Sequence, residues 1–134
     1  MRRVLLIHRT KVPHYRIPIY NQLHAFLASR GWELTVASPD IETANAHSVA
    51  FPFTVVPDKF GPTARAIKTE RPDAVILFLD LVQRYLPALI VLLRAMHIPS
   101  IYWGHGIDTW HDPNDRLMKA GYARRVLFLV DRRA

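Results

Sequence analysis

The stretch of this chain best suited to chemistry is Pro99-Ser100-Ile101-Tyr102-Trp103-Gly104-His105-Gly106-Ile107-Asp108. It reads as a short buried strand that opens onto a histidine set between two glycines. Gly104 and Gly106 let the backbone turn sharply and let a ligand approach closely. His105 between them can donate or accept a hydrogen bond, or exchange a proton near neutral pH. Asp108 either binds a ligand hydroxyl or caps a turn. A second set of competent residues comes early, in Arg9-Thr10-Lys11-Val12-Pro13-His14-Tyr15-Arg16. Lys11 and Arg16, with the amino end of the helix that follows, are able to hold a phosphate or carboxylate, because helix amino ends favour anions. Solvated basic side chains in an ordinary loop are the alternative. His14 and Tyr15 either touch a ligand or pin the loop. Tyr102, Trp103 and Trp110 offer rings for stacking on a sugar, with core packing as the competing role for the first two.

The elements that must position these residues alternate between strand and helix. Val4 to His8 is an apolar β run. Pro18 to Arg30 reads as a helix with Ile19, Leu23, Phe26 and Leu27 on one apolar stripe. Pro18 suits its first turn and Gly31 the position just past its end. Glu33 to Ala37 is a second strand, and Phe51 to Val56, bounded by prolines, a short or edge third strand. Gly61-Pro62 opens a helix that stops before Arg71-Pro72. Ala74 to Leu79 is a strongly apolar fourth strand. Leu81 to His97 is helical, with Pro87 either kinking it or marking where its regular part begins. Ile98 to Trp103 is a fifth strand. Asp112-Pro113-Asn114-Asp115 caps a helix running to about Arg124, and Val126 to Val130 is a sixth apolar run.

Such alternation predicts an α/β fold with a mostly parallel, doubly wound (Rossmann-like) six-stranded sheet and helices on both faces. Near-continuous apolar strands belong to a sheet covered on both sides. In an open parallel sheet, ligands bind beyond the carboxyl ends of the strands. The loops after strands one, four and five therefore face the same crevice, and they carry the residues named above.

Composition narrows the choice further. The 134 residues suit one domain, and half of them are hydrophobic, which argues against disorder. There is no cysteine, so disulfides and thiolate metal sites are excluded. The basic start before Val4-Leu5-Leu6-Ile7 is broken by His8, Arg9 and Lys11, which fits a first strand and not an export signal. The apolar stretch from Tyr85 to Leu93 is far shorter than the ~20 residues of a membrane span. The net charge of +7 gathers near the two ends of the chain. It is either a solvated face or a surface for anionic lipid head groups or phosphate-bearing substrates. No groove-reading motif accompanies it, so nucleic acid is not an expected partner.

Several familiar sites are missing. No G-x-G-x-x-G follows the first strand, no P-loop sequence occurs, and no G-x-S-x-G appears. His105, Asp108, His111 and Asp112 are of types that ligate divalent metals, yet their spacing matches no specific metal signature.

The run Val12-Pro13-His14-Tyr15-Arg16-Ile17-Pro18-Ile19-Tyr20-Asn21-Gln22-Leu23 resembles the start of bacterial family 4-like glycosyltransferases of the GT-B fold, which build capsular, exopolysaccharide or lipopolysaccharide glycans. Ile101-Tyr102-Trp103-Gly104-His105-Gly106 is similar to the strand-plus-histidine segment of the same amino-terminal domain. The resemblance implies one half of a GT-B architecture. Residues 1–134 would form the acceptor-side domain, and the carboxy-terminal domain that binds the nucleotide-sugar donor would be absent. By the same resemblance His105 is the catalytic residue, orienting the donor sugar and stabilising developing charge. Lys11, His14, Tyr15, Arg16, Gly104, Gly106 and Asp108 would bind substrate. No cofactor or metal is expected, because helix dipoles and basic side chains stabilise a departing diphosphate. The implied partners are a nucleotide-sugar donor, a glycan or lipid-linked acceptor, the missing domain and an anionic membrane surface. The implied location is cytoplasmic and peripheral at the inner face of the plasma membrane. The first loop lacks the paired glycines common in the wider family. Two rival expectations are a non-catalytic α/β module for an anionic ligand or protein partner, and a metal-dependent hydrolase using His105, Asp108 and His111.

Overall fold

A computed structural model describes residues 1–42, 47–78 and 84–103. Among these residues five strands form one sheet: β1 (Arg2–His8), β2 (Trp32–Ser38), β3 (Phe53–Val55), β4 (Ala74–Phe78) and β5 (Ser100–Tyr102). Every pairing is parallel, and the spatial order is β3-β2-β1-β4-β5. Three α-helices connect them: α1 (Ile17–Ala28), α2 (Phe60–Glu70) and α3 (Leu86–Ala95). The architecture is α/β and compatible with a Rossmann-like fold. The sixth apolar run, 126–130, and the helix expected before it lie outside the described residues. No helix among the described residues is long and apolar enough to cross a membrane.

The two-residue period of β1 sorts the core into two layers. Val4 and Leu6 point to one face and pack with Ile17 and Tyr20 of α1, Leu34, Val36 and Phe51. Leu5 and Ile7 point to the other and pack with Ile67 of α2 and with Leu86, Leu89, Ile90 and Leu93 of α3. The central strand is thus buried on both sides, which is why its sequence is an unbroken apolar run. Each fully buried Leu or Ile contributes about 1.5–3 kcal/mol.

Helix α1 departs from the expected stripe by a small rotation. Ile19 and Phe26 are exposed at 40% and 52%, while Ile17 and Tyr20 are fully buried and Leu23 and Leu27 half-buried. Tyr20 takes the inward position because the adjoining sheet surface is aromatic, with His8 and Phe51 both at ring distance. Pro18 lies in the first turn, and Gly31 at φ +76° ends the helix region, its carbonyl accepting from the Arg2 amide. Pro87 likewise begins the regular part of α3. That helix ends with the amides of His97 and Ile98 bonded back to the carbonyls of Arg94 and Leu93, and His97 at φ +57°. This is the αL termination that helices commonly use.

The third and fifth strands are shorter than their apolar runs. Only Phe53–Val55 and Ser100–Tyr102 pair. Pro52 and Pro57 flank β3, and a proline cannot donate to a ladder, so pairing stops between them. Among the described residues β3 is an edge strand, as its prolines suggest.

Candidate functional site

The chain leaves β1 toward β2 on one side and reaches β4 on the other, so the strand order reverses between β1 and β4. That reversal opens a crevice at the carboxyl ends of the strands. At its floor, His8 of β1 stacks on Phe78 of β4, ring centres 4.8 Å apart and 12° from parallel. The two residues are direct partners across the ladder, which places their side chains on one face. Trp103, just past β5, meets the edge of Phe78 at 5.7 Å. Tyr20 rises from α1 into the same group, 6.1 Å from both His8 and Trp103. The His8 Nδ1 lies 2.8 Å from the Thr10 carbonyl, which accepts a hydrogen bond from it and fixes the ring.

The loop between β1 and α1 is held by an extension of β2. The Val12 amide donates to the Asp40 carbonyl and the Glu42 amide to the Val12 carbonyl, forming a single parallel bridge between Val12 and Ile41. The Ser38 hydroxyl lies 2.7 Å from the carbonyls of both Thr10 and Asp40. Val12 is fully buried, so the loop is anchored at its midpoint by packing as well. A short 3₁₀ turn, His14–Arg16, then leads into α1. A backbone held this firmly presents its side chains in fixed directions.

Each expected residue of this loop has a definite setting. Lys11 reaches Asp40, Nζ to Oδ2 at 3.4 Å. His14 donates its amide to Glu42 at 2.9 Å, and its ring Nδ1 sits 3.1 Å from the same oxygen. The His14 amide holds the Glu42 carboxyl below the usual glutamate range, with a further contribution from the ring. The Ile41 amide does the same for Asp40, helped by Lys11. Tyr15 is exposed at 61%, with its ring edge-on to His14. Arg16 turns the other way, over the sheet. Its guanidinium carbon lies 4.6 Å from the centre of Phe78, 5.9 Å from Trp103 and 5.8 Å from Tyr15. Among the described residues no carboxylate or carbonyl accepts a hydrogen bond from it.

The expected anion cradle of Lys11, Arg16 and the helix end therefore divides. Lys11 and His14 are occupied by carboxylates on the β2 side, and Arg16 alone addresses the crevice. Arg9, at the same rim, is paired with Asp58 at 3.3 Å, and Asp58 also accepts from the Tyr85 hydroxyl at 2.5 Å. Gly104, His105, Gly106 and Asp108 lie outside the described residues, as do Trp110, His111 and Asp112. Tyr102 and Trp103 are half-buried and pack against the core, and Trp103 also enters the ring cluster. Among the described residues no three histidines or carboxylates gather as a metal site.

Sequence reading passed over His8, Tyr20 and Phe78. His8 looked like an interruption of an apolar run, yet a polar ring at the carboxyl end of a central parallel strand is itself a signal, because that position opens on the crevice. Tyr20 and Phe78 gave no such signal, since aromatic residues at strand ends and on helices are ordinary core residues. The groove between β3 and α2, about 280 Å³ and lined by Val55, Pro62, Arg65 and Glu70, holds none of the expected residues and sits at the far edge of the sheet. The crevice, where strand order reverses and a charged group stands over aromatic rings, is the better candidate. No protein-family model matches the chain, and no curated protein sequence matches it.

Proposed function

We propose that this chain is the acceptor-side half of a GT-B glycosyltransferase, a six-stranded doubly wound domain that works with a donor-binding partner domain. The full enzyme moves a sugar from a nucleotide-diphosphate sugar to a lipid-linked or polysaccharide acceptor at the cytoplasmic face of the membrane. The observation that carries this reading is the fate of the Val12–Leu23 run. It folds as a braced loop, a turn and a helix that set Arg16 at the β1–β4 reversal, where parallel sheets bind ligands. In this reading His105, which follows β5 in the chain, orients the donor sugar and stabilises charge developing at its anomeric centre. Lys11, His14 and Tyr15 shape the acceptor side, with Gly104, Gly106 and Asp108 lining the approach. The basic balance of the chain favours docking on anionic lipid.

The test is a transfer assay with nucleotide sugars and a lipid-linked acceptor, run on this chain alone and together with a carboxy-terminal donor domain. Product is expected only when both halves are present, and His105→Ala is expected to abolish it. Robust transfer by the chain alone, or none with any donor domain, refutes the reading. One observation favours the non-catalytic rival, a module for an anionic ligand: Arg16 has no carboxylate partner among the described residues. Under that rival, ligand binding needs no second domain.

A further inference from the structure

We propose that Arg16 anchors a phosphate-binding subsite at the β1–β4 reversal, a guanidinium pre-set by aromatic rings to receive two oxygens of one phosphate group. Its guanidinium carbon lies within 6 Å of the ring centres of Phe78, Trp103 and Tyr15, cation–π range for all three and closest over Phe78. A guanidinium presents its N–H donors in a planar fork that matches two phosphate oxygens. No acceptor among the described residues uses them. A half-buried arginine set over aromatic rings, with no acceptor for its donors among the described residues, is a group held ready for an anion, because ordering so long a side chain without a polar partner is otherwise unfavourable.

The surroundings sharpen the ligand class. The other basic groups of the loop are engaged: Arg9 with Asp58, Lys11 with Asp40, His14 with Glu42. They brace the rim, while among the described residues Arg16 has no carboxylate partner. No Asp or Glu occurs between Thr10 and Glu33, so nothing near it in sequence competes with an incoming anion. Helix α1 starts at the next residue and adds the positive end of its dipole. Beside the rings, the Tyr20 hydroxyl is fully buried without a hydrogen-bond partner among the described residues and within the field of the Arg16 charge. A doubly charged phosphate gains from the fork and the helix dipole together, more than a single carboxylate does. That the phosphate belongs to a sugar-transfer reaction rests on the reading above; the subsite itself does not.

The experiment is titration calorimetry of the full chain with inorganic phosphate, supported by tryptophan fluorescence, since Trp103 is one of the rings beside Arg16. Two further arms identify the source of the phosphate: uridine diphosphate, and phosphatidylcholine vesicles with and without phosphatidic acid. Arg16→Ala is expected to weaken phosphate binding about ten- to a hundredfold, the worth of charge-assisted hydrogen bonds. Arg16→Lys keeps the charge without the fork and is expected to restore only part of the loss. Arg65→Ala, in the groove at the far edge, is expected to bind as the parent does. Circular dichroism and urea midpoints establish that all three variants fold. Arg16-dependent binding in either further arm supports the subsite and names the phosphate's source. Equal binding by Arg16→Ala, an equal loss in Arg65→Ala, or acetate bound as tightly as phosphate overturns it. Phosphate binding that persists while transfer fails with every donor domain removes only the glycosyltransferase reading.

Discussion

Tyr20→Phe is expected to stabilise this protein. The Tyr20 side chain is fully buried, and its hydroxyl has no hydrogen-bond partner among the described residues. The ring makes edge contacts with His8, Phe51 and Trp103 at about 6 Å, all of which phenylalanine retains. The substitution therefore removes only an unpaired polar group. Burying such a hydroxyl costs about 1–3 kcal/mol by protein mutational data. The void left by one oxygen, on the order of 10–15 Å³, costs about 0.3 kcal/mol at the usual rate per unit of cavity volume. The net gain is about 1 kcal/mol or more, which corresponds to a rise in Tm of roughly 3–5 °C for a chain of this size. Urea unfolding followed by circular dichroism measures it, as a higher midpoint at unchanged slope. A second readout comes from alkaline pH. Burial pushes the Tyr20 phenol well above its ordinary value of 10.0. Ionisation of Tyr20 leaves stability unchanged below pH 10.0 and lowers it as pH rises further, because the unfolded chain ionises this phenol while the folded chain does not. The advantage of Tyr20→Phe should therefore widen above that pH. A destabilisation of about 1 kcal/mol or more at neutral pH would refute the reasoning, since it would mean that the hydroxyl has a partner.

Backbone conformation supplies a second test. Gly31→Ala meets no steric neighbour, yet places a side chain at φ +76°, and is expected to lose about 1 kcal/mol in urea unfolding. The converse change, Arg71→Gly at φ +44°, is expected to gain up to about 1 kcal/mol. Asp58→Ala removes the shared acceptor of Arg9 and Tyr85 and should cost about 1–3 kcal/mol, with a double-mutant cycle against Tyr85→Phe showing the coupling. Glu42 is held below its ordinary value of 4.5, so its contribution is present above that pH and fades as the solution becomes more acidic. Thermal melts from neutral to strongly acidic pH should accordingly fall less steeply for Glu42→Gln than for the parent chain.

Fold class followed from pattern because its cause is local. A strand buried on both faces must be apolar throughout, so Val4–Ile7 and Ala74–Phe78 declared themselves, and Pro18, Gly31 and Pro87 marked helix ends by what their backbones allow. Element edges were less secure. Phe51, Val56 and Ile98 are buried apolar residues outside the strands that adjoin them, since burial and ladder pairing are separate events. The Ile19, Leu23, Phe26 and Leu27 stripe does not fix the phase of α1, because only the aromatic surface beneath Tyr20 decides which way that residue faces.

Charge and spacing in the sequence nominate Lys11, His14, Tyr15 and Arg16 for a ligand-facing rim after the first strand. They were silent on which of these would be free. Asp40 and Glu42, more than twenty residues away in the chain, come home beside Lys11 and His14 because β2 runs parallel to β1 and carries them past the loop. Phe78 and Trp103 come under Arg16 because β4 and β5 lie on the other side of the central strand. Residue types and their intervals are properties of the chain. Which cation is neutralised and which is left over an aromatic face is set by strand order, and strand order exists only once the sheet has formed.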